Sequence, residues 1–268
     1  MRRGAYLLPS AFTIGNMLLG FYALVLGLRG TFGGDPKAFQ KAALLVFAAA
    51  LLDSIDGRIA RLTGTESAFG KEYDSLADAA TFGMVPALLT YLWGLKDLGR
   101  VGWLVPLFFL VCTVTRLARF NVQAALPASS RWFVGLPAPA AAGTVCALLF
   151  VVPDSEWRPW LNGLLLVTLI VVGTLEVSTF RYWSPKQIHF RRRLSYRALL
   201  YVAAAILLIF FQPRLFLPIA AALYTVSGPL GWLVRRVRPA EPESEGEDEG
   251  EGEGGPGATE GEPRESTS

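Results

Sequence analysis

The apolar residues of this chain fall into long blocks, and its charged residues are concentrated between those blocks. Of the 268 residues, 52% are hydrophobic, and the mean hydropathy is +0.40. A soluble domain of this length could bury a large core, but it would not need this much apolar sequence. Long apolar blocks separated by charge are instead what a protein with several membrane spans requires.

We therefore expect an all-α fold, a polytopic bundle of about eight transmembrane helices. Each apolar block is long enough, at about 1.5 Å of rise per residue, to cross most of a hydrocarbon core about 30 Å thick. The predicted spans are residues 11–28, 40–60, 76–95, 101–123, 136–152, 160–178, 196–212 and 215–234.

The C-terminal segment differs in composition from the rest of the chain. Residues 239–268 carry eleven of the 22 acidic residues and one of the 25 basic residues, so the remaining body has a net charge of +13. This acidic tail has almost no apolar surface to bury. We therefore predict that it is disordered.

The distribution of basic residues between the spans predicts the orientation of the chain. If the N-terminus is cytoplasmic, the segments on that side hold 17 Lys and Arg residues, and the loops on the other side hold seven. Cytoplasmic loops of membrane proteins carry the excess of basic residues. We therefore expect an integral protein of the cell (inner) membrane with both termini in the cytoplasm.

Four aspartates lie at the boundary between the second and third spans, in "DSIDGRIARLTGTESAFGKEYDSLAD". Asp53 and Asp56 are three residues apart, and Asp74 and Asp78 are four apart, so each pair shares a helix face. An antiparallel hairpin about the "TGTES" turn would place all four carboxylates at one depth. The orientation rule puts this cluster on the cytoplasmic side.

Four carboxylates in one place repel one another strongly, and bound cations remove that repulsion. Oxygen ligands without histidine favour Mg²⁺ or Mn²⁺ over zinc, and two ions with shared carboxylates suit diphosphate chemistry. Gly57 and Gly70 would let a ligand approach the backbone, and Arg61 can pair with phosphate. The predicted metal ligands are Asp53, Asp56, Asp74 and Asp78.

The pattern Asp53-x2-Asp56-Gly57-x2-Ala60-Arg61-x8-Gly70-x3-Asp74-x3-Asp78 resembles the signature of the CDP-alcohol phosphatidyltransferases at all eight positions. The resemblance implies a helical membrane enzyme that uses a divalent metal. Such an enzyme transfers a phosphatidyl group from a CDP-linked lipid to an alcohol and releases CMP. Members of the family are usually dimeric, so we expect a homodimer.

The resemblance also implies a role for each matching residue. Asp78 would complete the metal site and act as the base that accepts the proton of the acceptor hydroxyl, while Arg61 would steady phosphate. Thr13 and Asn16, in the matching stretch "LPSAFTIGN", are expected near the diphosphate. The residues that would shape the cytidine pocket are Gly57, Ala60 and Gly70.

Further stretches resemble the phosphatidylserine synthase branch of this family. They are "FGKEYDSLADAATFGMVPA" (69–87), "RLARFN" (116–121), "GLPAPAAAG" (135–143) and "EVSTFRYWSPK" (176–186). This resemblance implies CDP-diacylglycerol and L-serine as substrates of a core at residues 1–190, to which residues 191–238 add two helices. Glu176 departs from the branch, which usually has an aliphatic residue at that position.

The carboxylate of serine needs a partner, and an arginine fork is the expected one in a partly dry site. Arg116 and Arg119 lie at the end of the fourth span on the side of the aspartates, and we predict that at least one binds the serine carboxylate. The basic stretch at 191–197 is explained by attraction to anionic lipid headgroups, worth about 1 kcal/mol per basic residue. We therefore expect membrane lipids, and no nucleic acid, as further partners.

Three alternatives stay open on the sequence. The nearest is a sister transferase that uses glycerol 3-phosphate, inositol phosphate or another small alcohol. A membrane prenyltransferase would carry two aspartate-rich motifs, whereas this chain has one such cluster. A transporter or channel would more naturally distribute its acidic residues along several spans and show repeat symmetry.

Overall fold

The computed structural model describes seven stretches of the chain, and every regular element in them is a helix. The described residues are 11–35, 37–63, 68–124, 135–152, 159–180, 182 and 211–237, without the side chains of 56–63, 124, 235 and 237. The α-helices are α1 Ala11–Gly33, α2 Ala38–Thr63, α3 Ala68–Asp78, α4 Val85–Thr90, α5 Gly99–Ala124, α6 Ala138–Val151, α7 Pro159–Val177 and α8 Pro213–Val237.

Five stretches of the described chain are long and apolar enough to span a membrane. They are Ala11–Gly33, Ala38–Ile55, Ala68–Gln123, Pro159–Val177 and Pro213–Val234, and Ala138–Val151 is a shorter apolar helix. The protein is therefore an integral membrane protein, and all the regular structure in its described residues is helical. The described residues do not contain all eight predicted spans, because most of the predicted span 196–212 lies outside them. The predicted disordered tail also lies outside the described residues.

The longest of these stretches is two antiparallel segments rather than one helix. Its 56 residues would extend about 84 Å as a straight α-helix, far more than a bilayer core. The chain reverses at Gly99, where φ is 57° and a side chain would be strained. A Cβ atom at Gly83 would lie 2.9 Å from Leu110 Cδ1, so the two segments are in close contact. They correspond to the predicted spans 76–95 and 101–123.

The helical segment before this reversal is irregular. Between α3 and α4 the residues Ala79–Met84 are π-helical, and Tyr91–Leu95 are π-helical again after α4. Pro86 in the first turn of α4 has no backbone N–H, and its ring would clash with a carbonyl in a regular α-helix. The backbone N–H of Val85 donates to Ala80 O, a π-type bond, so the widened turn accommodates the proline.

Helix α1 packs closely against α2 and against the segment that follows α3. A Cβ atom at Gly20 would lie 2.9 Å from Thr81 Cγ2, and one at Gly27 would lie 2.4 Å from Leu89 Cδ2. Small residues let membrane helices approach in this way. The buried residues of this helix include Thr13, Asn16, Gly20, Ala23 and Gly27. Because these residues recur every three to four positions, they share one face of α1. The polar members of this face, Thr13 and Asn16, lie at the end of the bundle that holds α3.

The segment that leads into α6 is attached to the end of α7. The backbone N–H of Gly135 donates to Phe180 O at 2.9 Å, and that of Leu136 donates to Leu175 O at 3.0 Å. The first of these hydrogen bonds joins the "GLPAPAAAG" and "EVSTFRYWSPK" stretches, which are far apart in sequence, and the second reaches the residue just before "EVSTFRYWSPK". These bonds hold the start of α6 against the end of α7, and α7 in turn packs against α5.

Candidate active site

Three of the four predicted metal ligands lie together. Asp53 comes from α2, and Asp74 and Asp78 come from α3, where their spacing of four places them on one face. Each offers a carboxylate oxygen, and these oxygens lie within 4.8 Å of one another in a partly buried position. Oxygens that bind one divalent cation at about 2.0–2.6 Å can be separated by about this much. The three carboxylates therefore fit a divalent cation.

Helix α1 supplies hydrogen-bond donors to two of these carboxylates. Thr13 Oγ1 donates to Asp74 Oδ1 at 3.4 Å, and Asn16 Nδ2 donates to Asp78 Oδ1 at 3.3 Å. Thr13 and Asn16 are both buried, so they can orient the carboxylates in the way that groups around a metal site orient its ligands. Sequence reasoning placed these two residues near a diphosphate, and the structure shows them in contact with the aspartates.

Asn16 also provides an independent indication that a cation fits this place. Its Oδ1 atom is buried and has no hydrogen-bond partner among the described residues. Buried polar atoms are normally satisfied, and amide oxygens belong to the donor set that Mg²⁺ and related cations prefer. An unpartnered amide oxygen next to three carboxylates is therefore consistent with a bound divalent ion or one of its water ligands.

The remaining predicted residues of the signature are described only in part. Asp56, Gly57, Ala60 and Arg61 lie in the last turns of α2, where the side chains are outside the described residues. Gly70 lies in the first turn of α3. Their roles therefore stay predictions.

The two arginines of "RLARFN" have different surroundings. Arg116 is within electrostatic range of Asp78 and Asp53. Arg119, one turn further along α5, donates from Nη1 to Val177 O at 3.3 Å. Basic side chains commonly bind the free carbonyls at helix C-termini, so Arg119 caps α7, whereas Arg116 lies near the aspartates.

Sequence reasoning missed the contacts that fix α5 to α3. Asn121 Nδ2 donates to Ser75 Oγ at 2.9 Å and to Glu72 Oε2 at 3.4 Å. These bonds connect the "RLARFN" stretch with "KEYDSLAD". Both stretches were recognised, but nothing in their spacing indicates that they touch.

A second contact that was missed lies between α5 and α7. Thr113 Oγ1 donates to Glu176 Oε2 at 2.8 Å. The only signal in the sequence was an acidic residue at a position that is usually aliphatic.

Comparison with known proteins identifies the family of this chain. Residues 6–175 match the family model for CDP-alcohol phosphatidyltransferase, a match that includes the four aspartates of the signature, Thr13, Asn16 and Arg116. The chain belongs to the CDP-alcohol phosphatidyltransferase family.

Several relatives carry one and the same name, CDP-diacylglycerol–serine O-phosphatidyltransferase. The protein of that name from Helicobacter pylori strain J99 is 35% identical over 237 residues, which cover 87% of this chain and 94% of the relative. The one from Mycobacterium tuberculosis strain H37Rv is 41% identical over 179 residues, 65% of this chain and 59% of the relative. The one from Bacillus subtilis strain 168 is 31% identical over 186 residues, 69% of this chain and 92% of the relative.

Proposed function

We propose that the protein transfers a phosphatidyl group from CDP-diacylglycerol to L-serine, giving phosphatidylserine and CMP. The observation that carries this proposal is the convergence of Asp53, Asp74 and Asp78 in a member of this family. The choice of serine is supported by the name shared by its relatives. A sister transferase that uses another small alcohol is the alternative that the same carboxylates would serve.

The chemistry needs a base and a means of neutralising a diphosphate. A divalent cation such as Mg²⁺ or Mn²⁺, of which we propose two, would supply the positive charge that stabilises the leaving phosphate. The hydroxyl oxygen of serine forms a bond to the lipid phosphate, the bond from this phosphate to CMP breaks, and the hydroxyl proton passes to Asp78. Thr13 and Asn16 hold Asp74 and Asp78 in place for these roles.

The binding of the nucleotide is proposed from the matching signature. Arg61 steadies phosphate, since an arginine fork fits phosphate oxygens. The cytidine pocket is formed by Gly57, Ala60 and Gly70, and Asp56 completes the set of metal ligands. The aspartates and Arg116 come from the same end of the bundle. We place this end at the cytoplasmic face of the inner membrane, because the segments predicted at this end hold 17 of the 24 basic residues of the body. We further propose that the protein is a homodimer.

A single assay tests the proposed reaction. The protein is purified in detergent and supplied with CDP-diacylglycerol, Mg²⁺ or Mn²⁺, and one alcohol at a time, and CMP release is measured. We expect CMP release that depends on serine. Release with glycerol 3-phosphate or inositol phosphate but not with serine would assign the protein to a sister activity. No release with any of the alcohols would contradict the proposal.

The different surroundings of the two arginines predict different effects of mutation. We expect Arg116→Gln to raise the KM for serine about tenfold or more, because a charge-assisted hydrogen bond is worth about 1.5–3 kcal/mol. The KM for CDP-diacylglycerol should change little. Arg119→Gln serves as the matched variant, since its guanidinium binds Val177 O, and we expect it to lower the Tm slightly and leave the serine KM unchanged.

Steady-state kinetics at varied serine and fixed CDP-diacylglycerol measure this difference. An unchanged serine KM in both variants would end the assignment of a serine-binding arginine. A rise in Arg119→Gln alone would transfer the role to Arg119.

A further inference from the structure

A cavity of about 340 Å³ lies at the end of the bundle opposite the aspartates. It is formed by the start of α2, the start of α8 and the end of α6, and its volume is typical of small-molecule sites. Asp53 lies 15 positions after Ala38, where α2 begins, which is about 22 Å along the helix. The cavity is therefore separate from the candidate active site. Its lining residues include Lys37, Gln40, Lys41, Leu44, Phe150 and Arg214.

The lining of this cavity is positively charged. Lys37, Lys41 and Arg214 line it, and none of its described lining residues is acidic. Lys41 Nζ pairs with Asp35 at 2.8 Å, whereas the side chains of Lys37 and Arg214 form no ion pair in the described part of the chain. An anion that enters the cavity is therefore attracted by two basic groups without a competing carboxylate.

Two helix N-termini add to this positive charge. α2 begins at Ala38 and α8 begins at Pro213, so both helices start at the cavity. The N-terminus of a helix carries backbone N–H groups without an intrahelical partner and a partial positive charge, which favours anions and disfavours basic side chains. Neither helix has an acidic residue in its first turn, and Arg214 is the second residue of α8. A bound anion would compensate both helix ends and the basic side chains.

Gln40 gives an indication of a ligand that does not depend on charge. Its side chain lines the cavity, the residue is 7% exposed, and its Nε2 atom is buried without a hydrogen-bond partner among the described residues. Buried polar groups are normally paired. An amide NH₂ group can donate two hydrogen bonds, and the oxygens of a phosphate are strong acceptors. Gln40 follows Lys37 by three positions, so the amide and the ammonium group share a helix face.

The part of the cavity nearer the centre of the bundle is apolar. Leu44 lies one turn beyond Gln40 on α2 and is 44% exposed, and Phe150 lies in α6 and is 5% exposed. The ends of membrane helices lie at the level of the lipid headgroups. A phospholipid presents a phosphate at that level and apolar chains below it, in the same order as these residues. The lining therefore fits a lipid better than a soluble phosphate ion, which would make no use of the apolar part.

A second cavity, of about 600 Å³, adjoins the first between α1 and α2. The two cavities share Lys41 and Leu44, and the second adds Arg29. The one acidic residue in its described lining is Asp35, whose carboxylate accepts from Lys41 Nζ at 2.8 Å and from the backbone N–H of Lys37 at 3.0 Å. The basic surface thus continues beyond the first cavity, with room for the rest of a lipid headgroup.

We propose that these two cavities bind the headgroup of an anionic phospholipid. Gln40 and the side chains of Lys37 and Arg214 donate to its phosphate oxygens, and an acyl chain lies against Leu44. The lipid belongs to the leaflet opposite the one at the level of the aspartates, and it joins the starts of α2 and α8. The site does not depend on the proposed reaction, which uses the other end of the bundle.

Thermal unfolding in a neutral detergent tests this site without reference to activity. The delipidated full-length protein is titrated with phosphatidylglycerol, and the Tm is measured at each ratio of lipid to detergent. We expect the Tm to increase by about 5 °C or more at saturation, because a ligand that binds only the folded state stabilises it. Phosphatidylcholine at the same ratios should give less than half of this increase, because its headgroup has no net charge. Inorganic phosphate should give none.

Variants assign the effect to the cavity. The double variant Lys37→Gln/Arg214→Gln should raise the lipid ratio at half-maximal increase about tenfold or more, since each basic residue near an anionic lipid contributes about fivefold in affinity. Gln40→Leu should raise it about tenfold, through the loss of hydrogen bonds to a charged group. The matched control is Lys96→Gln/Arg100→Gln, which removes the same charge from exposed residues at the same end of the bundle but outside the cavity lining. It should respond to the lipid as the wild type does.

Asp35→Asn should have the opposite effect. It removes the one acidic group of the lining and releases Lys41 for the lipid, so the lipid ratio at half-maximal increase should fall about threefold. A merely structural role of this ion pair would instead lower the Tm equally at every lipid ratio and leave the midpoint of the titration unchanged.

Three results would overturn the inference. An equal increase in Tm with phosphatidylcholine would show that the positive charge has no role, and an equal increase with inorganic phosphate would show that the ligand is not a lipid. Unaltered phosphatidylglycerol binding by Lys37→Gln/Arg214→Gln would show that the lipid binds elsewhere. If Gln40→Leu does not fold, this double variant decides the question, because Lys37 and Arg214 are both exposed and their replacement leaves the core intact.

Discussion

Replacement of Asp78 by asparagine is expected to lower the rate of CMP release by a factor of about 10³ while the protein still folds. Asparagine has nearly the same shape and keeps an oxygen that can accept the hydrogen bond from Asn16 Nδ2. It cannot accept the proton of an attacking hydroxyl, and it weakens the ligand set for a cation. Both losses fall on the transition state, so kcat should decrease more than substrate affinity.

The same substitution should not reduce stability, and this combination distinguishes a functional from a structural role. Asp78 lies close to Asp53 and Asp74, and removal of one of three neighbouring carboxylates relieves their repulsion. We expect the Tm in metal-free buffer to be equal to or higher than that of the wild type. The increase in Tm on addition of Mn²⁺ should become smaller, because the folded state binds the ion less tightly.

CMP release and thermal unfolding in detergent measure these two effects. Asp97→Asn is the control, since Asp97 is exposed and lies in the 3₁₀ segment Lys96–Leu98, before the reversal at Gly99. It should behave as the wild type in both measurements. Retention of more than about a tenth of the activity in Asp78→Asn would refute the assignment of Asp78 as the base.

The aspartate cluster could be predicted from the sequence because it depends on short-range rules. Spacings of three and four place the members of each pair on one helix face, and a short connection makes two neighbouring helices antiparallel. These two facts bring Asp53 to the level of Asp78, and their carboxylate oxygens lie within 4.8 Å of each other and of Asp74. The fold class followed from the length of the apolar blocks in the same way.

The surroundings of the cluster could not be predicted in this way. Thr13 and Asn16 reach Asp74 and Asp78 across 61 and 62 positions in sequence, and this contact exists only because small residues let α1 pack closely against the segment after α3. Short-range periodicity carries no information on such packing. It could not separate the roles of Arg116 and Arg119 either, since they share a helix end and differ only in their distant partners.

Gly135 illustrates how a resemblance can be recognised before its physical reason is known. Its φ of 92° is a conformation that side chains rarely adopt, and a Cβ atom there would lie 2.2 Å from Glu176 O. The glycine is required because its backbone is pressed against the end of α7. The sequence contains the glycine but not the φ or the neighbour.

We therefore expect Gly135→Ala to be strongly destabilising, by about 3 kcal/mol or more. A side chain could rotate away from a new methyl group, but Glu176 O is a backbone atom held in a helix and cannot. To relieve the clash, the segment must move away from α7 and lose the hydrogen bonds of Gly135 to Phe180 O and of Leu136 to Leu175 O. The Tm should decrease by about 6 °C or more.

Gly163→Ala is the matched control for this prediction, because Gly163 lies in α7, where a Cβ atom would meet no neighbour within 4 Å. Alanine is favoured over glycine inside a helix by about 0.5–1 kcal/mol, so this variant should be unchanged or slightly more stable. A Gly135→Ala protein with the Tm of the wild type would show that the segment and α7 are not in contact. Since Glu176 and Val177 bind Thr113 and Arg119, the displacement should also reach α5, and the serine KM should rise together with the loss of stability.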